Sequence, residues 1–272
     1  MPDMSTTLRH AFRGVFNRRS LVRAGRLDVM PSFASAILGN TRQITVYVPP
    51  GYDDRADRRY PVLYMQDGQN LFDDSRAFAG TSWRLQSAAD DAIGARTAEP
   101  MIIVGVDHMN AGRIHEYTPV FDEAKKAGGG AADYGRMLIE ELKPLVDSRY
   151  RTLPERTSIG GSSLGGLVSL YLALTRDEFR AAAVMSPSVW WHNRAILETV
   201  SEASHRPRLW LDVGAREGRE AVADVRALND RLRERGWNER NLQFFEDRRA
   251  DHSERAWAAR VRRVLEFLFP AE

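Results

Sequence analysis

The sequence predicts an α/β fold: a mostly parallel central sheet with helices on both faces. Three observations carry that expectation. Short apolar runs of strand length alternate with segments of helical period, the pattern of parallel strands joined by crossover helices. Two of the runs, PVLYM at 61–65 and MIIVGV at 101–106, are continuous, as strands buried on both faces should be. The 272 residues, 43% hydrophobic and 28% charged, suit one soluble domain large enough to bury such a sheet.

Taken in order, strands are expected over residues 29–37 and 43–48, the second alternating and halted by the turn Pro49-Pro50-Gly51. Further strands follow at 61–65, 101–106, 157–160, 181–185, 209–213 and 242–245. Helical periodicity covers 134–146 and 164–174, the latter apolar nearly all round and therefore expected to be buried. Val222, Val225, Leu228 and Leu232 form one later helical stripe; Trp257, Val261, Val264, Leu265 and Leu268 form another. The polar, glycine-bearing stretch 109–132 reads as a long loop or small cap inserted into a single domain spanning 29–272.

Composition excludes several chemistries. With no cysteine there is no disulfide, thiolate metal site or cysteine nucleophile, and no His-x-x-x-His pair offers a metal site, so no cofactor or metal is expected. The formal charge is only +2. Its one uneven region is 1–28, where Arg9, Arg13, Arg18, Arg19, Arg23 and Arg26 face only Asp3 and Asp28. That segment reads as a solvated lead-in rather than a nucleic-acid arm. No apolar run there is long enough for a signal peptide or a membrane span, so the expectation is a soluble, cytoplasmic protein with no membrane or nucleic-acid partner.

Gly161-Ser162-Ser163-Leu164-Gly165 matches G-x-S-x-G once, between an expected strand and an apolar helix. Strand, sharp turn and helix are the context of the nucleophile elbow of the α/β-hydrolase fold. The turn lifts the Ser163 hydroxyl above the sheet, and the helix N-terminus favours developing negative charge. A serine needs an adjacent base, and the elbow architecture sets the order serine, acid, histidine. After Ser163 come His192, His205 and His252. His205 precedes a strand, on the wrong edge of the sheet. His252 lies late, between the last strand and last helix, on the correct edge, and is the expected base. The acid should follow the strand at 209–213, where Glu217 is the candidate; Asp247 and Asp251 lie near His252 and remain alternatives. Two N–H donors must meet the oxyanion. Leu164 supplies one, and Gln69, in the loop after 61–65, supplies the other; Asp67 there reads as a turn former. Trp83, Trp190 and Trp191, with Arg113 and Tyr117 of the 109–132 loop, are the expected substrate contacts, although large aromatics also serve as packing residues.

Together with VYVPPGY at 46–52, the segment 62–72, Val104-Gly105-Val106 with Arg113 to Pro119, SPSVWW at 186–191 and Asp251-His252-Ser253, these residues resemble the Putative esterase family of α/β-hydrolases, over about 33–270. That family includes enterochelin esterase-like trilactone hydrolases, feruloyl esterases, S-formylglutathione hydrolases and mycolyltransferases, and the resemblance is strongest to the trilactone hydrolase-like branch. It implies that Ser163 and His252 are catalytic, that Leu164 and Gln69 form the oxyanion site, and that Glu217 matches the acid of the mycolyltransferase branch; other members work as a serine–histidine pair. The chain shows neither an export signal nor a separate siderophore-binding N-terminal domain, so a siderophore substrate is not implied. The expectation is therefore a serine esterase acting on a small-molecule carboxylic ester. An acyltransferase using the same acyl-enzyme is the first alternative, and a non-catalytic binding module is the second. Acyl and alcohol specificity and oligomeric state are not readable.

Overall fold

The computed structural model describes residues 24–271. The arginines of the lead-in up to Arg23 lie outside the described residues, whereas Arg26 opens the first strand. The elements are β1 (Arg26–Ser35), β2 (Asn40–Val48), β3 (Tyr60–Gln66), α1 (Leu85–Gly94), β4 (Ile102–Val106), α2 (Arg113–Tyr117), β5 (Phe121–Asp122), β6 (Ala127–Gly128), α3 (Ala131–Arg136), α4 (Lys143–Arg149), β7 (Thr152–Ser162), α5 (Leu164–Thr175), β8 (Phe179–Met185), α6 (Ile196–Glu202), β9 (Arg208–Gly214), α7 (Arg219–Glu234), β10 (Leu242–Asp247) and α8 (Glu254–Leu268). A π-helical stretch, Met137–Leu142, joins α3 to α4.

Eight strands form one sheet in the order β1-β2-β4-β3-β7-β8-β9-β10. Strand β2 runs antiparallel to β1 and β4, and the other pairings are parallel. This is the α/β-hydrolase arrangement that the sequence predicts. Side chains alternate along β3: Val62 and Tyr64 join the core under α3 to α7, Leu63 and Met65 the core under α1 and α8. Both faces are thus covered, which is why β3 and β4 are buried throughout.

The parallel strands bring their carboxyl-end loops to one edge, carrying Gln69 after β3, Ser163 after β7, Glu217 after β9 and His252 after β10. The 109–132 insertion is α2 and the small hairpin β5–β6. It is fixed to the sheet by a buried ion pair, in which Arg42 of β2 donates to both carboxylate oxygens of Glu116 at 2.7 and 3.0 Å. No helix among the described residues is long and apolar enough to cross a membrane.

Candidate active site

Ser163 occupies a sharp turn between β7 and α5, with φ 56° and ψ −122°. A non-glycine residue held there costs of order 1–3 kcal/mol, which the surrounding structure must supply. Its N–H donates to Met185 O at 3.0 Å, and its carbonyl accepts from Ser188 N at 3.1 Å and Leu167 N at 3.0 Å. The flanking glycines allow the close passage: a Cβ on Gly161 would lie 2.8 Å from Gly165 C.

Glu217 and His252 meet at the end of the neighbouring strands β9 and β10. His252 Nδ1 lies 2.8 Å from Glu217 Oε2, so Nδ1–H donates and Nε2 is left for chemistry. The Glu217 side chain is 2% exposed and that of His252 43%. The other carboxylate oxygen, Oε1, accepts from Gly214 N at 2.7 Å and Ser186 Oγ at 2.6 Å. Burial alone would raise this carboxyl. The hydrogen bonds from His252, Ser186 and Gly214 outweigh it, so Glu217 stays below its ordinary range and ionised. Gly214 makes room for the arrangement, because a Cβ there would lie 2.4 Å from Ala250 O in the loop leading to His252. Asp247, the alternative acid, instead accepts from Arg249 N at 2.9 Å within its own loop, and Asp251 accepts from Ser253 Oγ.

Beneath the acid lies a buried network that the sequence did not suggest. Ser186 Oγ also accepts from Trp257 Nε1 at 3.0 Å and Arg260 Nη2 at 3.1 Å. Arg260 Nη2 donates to Asp212 Oδ1 at 3.0 Å, and Asp212 Oδ2 accepts from Trp210 Nε1 at 2.7 Å. Burial raises the Asp212 carboxyl in spite of Arg260. Trp257 also meets the imidazole edge to face, with ring centroids 4.9 Å apart, and so confines the ring of His252.

Ser163 and His252 line a cleft of about 820 Å³ together with Asp67, His108, Arg113 and Glu254. A smaller cavity of about 250 Å³ also touches Ser163 and His252 and is bounded by Leu164, Ser188, Trp190 and Val225. Among the described residues the side-chain partner of Ser163 Oγ is Ser188 Oγ, at 3.3 Å.

The remaining expected contacts divide. Arg113 borders both cavities, and Trp190, 48% exposed, borders the smaller one. Trp83, Tyr117 and Trp191 are each at most 2% exposed and line neither cavity. Trp191 donates from Nε1 to Val120 O at 2.8 Å, tying the loop after β8 to the insertion. Tyr117 Oη accepts from Asp67 N at 3.2 Å. Asp67 is indeed a turn residue, with φ 57°, and also a bidentate partner of Arg113 at 2.7 and 2.8 Å. Burial works against the Arg113 charge, but Asp67 more than compensates and holds its pKa above the usual value. The Gln69 side chain accepts from His108 N at 3.3 Å. Burial pushes the His108 imidazole down, which favours its neutral form. Among the described residues no group of three or more His, Asp or Glu could hold a metal.

A strained serine on a strand-to-helix turn, with a buried carboxylate holding a histidine at the same sheet edge, defines the chain as an α/β-hydrolase. Residues 35–268 match the model of the Putative esterase family, and the chain belongs to that family. Among its relatives, the uncharacterized protein YbbA of Bacillus subtilis is 26% identical over 84% of this chain and 92% of its own length. Ferri-bacillibactin esterase BesA of the same organism is 30% identical over 51% of each chain. The siderophore triacetylfusarinine C esterase of Aspergillus fumigatus is 28% identical over 58% of this chain and 55% of its own. The chain thus spans about half the length of these named esterases. The solved BES protein from Bacillus cereus superposes with a TM-score of 0.72 at 21% identity, over 98% of this chain and 99% of the other, a likeness of fold.

Proposed function

We propose that the chain is a serine esterase that hydrolyses carboxylic esters through an acyl-enzyme on Ser163, with His252 as base and Glu217 as the orienting acid. The observation that carries this reading is the 2.8 Å contact of His252 Nδ1 with a buried carboxylate, beside a serine in the elbow conformation. Glu217 fixes the tautomer in which Nε2 accepts a proton. Nε2 takes the Ser163 proton as Oγ attacks the ester carbonyl. The oxyanion that forms meets the N–H of Leu164, which as the first residue of α5 has no intrahelical acceptor, and the N–H of Gln69. The imidazolium then protonates the leaving alcohol, the ester C–O bond breaks, and water activated by the same Nε2 releases the acid.

The likeness to esterases named for siderophores makes a cyclic trilactone one of the first substrates to try. A panel of p-nitrophenyl esters of increasing chain length, a feruloyl ester and a cyclic trilactone, assayed with wild type and Ser163→Ala, tests the reading. Turnover that vanishes in the variant supports it. Turnover that survives in the variant refutes it.

A further inference from the structure

One ionisable group in the cleft has no part in the proposed acyl transfer. Glu254 opens α8 two residues after His252 and lines the 820 Å³ cleft. Its Oε1 accepts from Asn70 Nδ2 at 3.1 Å, and its Oε2 accepts from the indole N–H of the buried Trp83. Both donors are neutral. Of the other charges in the cleft, Asp67 and Arg113 pair with each other and His252 pairs with Glu217, while Asp251 and Arg255 complete the lining. Glu254 is therefore a fixed carboxyl facing the cleft with no cation of its own.

We propose that Glu254 is a specificity residue that receives a cationic group of the ester substrate in the larger cleft. The inference rests on the esterase reading above and narrows its substrate class. Two neutral donors hold both oxygens in place, so the group is pre-set rather than mobile, and each oxygen keeps a lone pair for a ligand. A cation arriving there meets a carboxylate whose hydrogen-bond donors, Asn70 and Trp83, are both neutral. An anion arriving there meets Glu254 together with Asp67 and Asp251, while the Arg113 fork is occupied; Arg255 is the remaining cation of the lining.

The titration of the group supports this geometry. Burial is the main cause that lifts the Glu254 carboxyl to about 7; the charge of Asp67 adds to the rise, and the hydrogen bond from Trp83 and the charges of Arg113 and His252 oppose it. Ionised Glu254 thus becomes about tenfold more abundant between pH 6 and 8. Binding of a cationic substrate should strengthen over the same interval, because the ionised form is the one that attracts it.

The test uses two isosteric pairs of esters. One pair is a choline ester and its 3,3-dimethylbutyl counterpart; the other carries the trimethylammonium or tert-butyl group in the acyl portion. For each pair the ratio of kcat/KM, cationic over neutral, is measured at pH 6 and pH 8. Ionisation of His252 affects both members of a pair and largely cancels in the ratio. The ratio in wild type should rise several-fold with pH for at least one pair. In Glu254→Gln the rise should disappear; a rise that persists there comes from another titrating group and refutes the assignment. A wild-type ratio that stays flat for both pairs, while the neutral esters are turned over, overturns the proposal and leaves the esterase reading standing. Failure to hydrolyse any of the esters, with no fluorophosphonate labelling of Ser163, sinks the esterase reading itself.

Discussion

Replacing Glu217 by Gln is the sharpest perturbation of this site, because the structure dictates what the amide must do. Oε1 sits between two donors, Gly214 N at 2.7 Å and Ser186 Oγ at 2.6 Å. The oxygen of the introduced amide has to occupy that position, since an NH₂ there would face the Gly214 N–H. The NH₂ then points at His252 Nδ1, 2.8 Å away in wild type, and Nδ1 must accept. The imidazole proton moves to Nε2, the nitrogen that in the proposed mechanism takes the proton of Ser163. The shape is preserved and the tautomer is wrong. The same substitution logic in serine protease triads lowers kcat about 10⁴-fold, equivalent to about 5.4 kcal/mol of barrier. The His252 side chain is 43% exposed, so water can support part of the productive tautomer, and a loss of about 10³–10⁴-fold is expected. Initial rates on a p-nitrophenyl ester measure it, with thermal unfolding to show that the fold survives. Slow fluorophosphonate labelling of Ser163 should persist. Asp247→Asn should stay near wild type, because that carboxylate serves its own loop. Activity of Glu217→Gln within tenfold of wild type would refute the argument; if Asp247→Asn were the crippled variant, the acid would be Asp247, and if neither were, the enzyme would run on Ser163 and His252 alone.

Ser163→Ala should lower kcat by about 10⁵–10⁶ and abolish fluorophosphonate labelling, and labelling at another serine with activity retained would contradict the assignment. Trp190→Ala should change the relative kcat/KM of bulky and small esters several-fold, whereas Trp191→Ala, at a buried site, should cost about 3–5 kcal/mol of stability and weaken all substrates alike; equal thermal stability of the two variants would count against this division. Ser186→Ala removes one donor from Glu217, which raises the carboxylate, tightens its hold on the imidazolium and should move the acid limb of the kcat/KM profile upward; a uniform loss at every pH would indicate a packing role only. Glu254 stays protonated to about pH 7 in the folded chain against 4.5 ordinarily, so its ionisation should lower stability progressively as pH rises from about 4.5 to 7. Calorimetry should show a Tm advantage of Glu254→Gln over wild type that grows from pH 5 to about 7 and then levels off, and a pH-independent difference would be the failing result.

The fold was legible because its long elements carry strong periodicity. The continuous runs of β3 and β4 read as buried strands, and the apolar helix α5 could only be internal. Helices α1 and α6 were not legible: LQSAADDAIG and ILETVSE are too short and too weakly patterned to stand out. At the site, chain order and sheet edge sufficed to nominate Ser163, Glu217 and His252, because parallel strands deliver their following loops to one side. The aromatic residues were ambiguous for a physical reason. An indole is apolar over its body and polar at its N–H, so it suits a pocket wall and a buried tie to a carbonyl equally well. Trp191 and Trp83 are the second kind here, one bonded to Val120 O and the other to Glu254. Ser186 and Glu254 were invisible for a different reason. In sequence one is a loop serine and the other an acid in the first turn of a helix, both ordinary positions, and only the three-dimensional arrangement brings them to Glu217 and the cleft.

Two buried ion pairs explain how a site on loops is held rigid. Arg42 and Glu116 pin the insertion to β2, and with it Arg113, whose fork then holds the buried Asp67 in the lining of the cleft. Arg260 and Asp212 lie under the other wall, where Arg260 and Trp257 of α8 and Glu217 after β9 converge on the single hydroxyl of Ser186. Buried pairs contribute little net stability, because desolvation offsets much of their attraction, yet breaking one is expensive, at about 3–5 kcal/mol. Such pairs therefore suit orientation better than overall stability. Arg113 is linked back to Arg42 through α2, and Glu217 to Arg260 through Ser186.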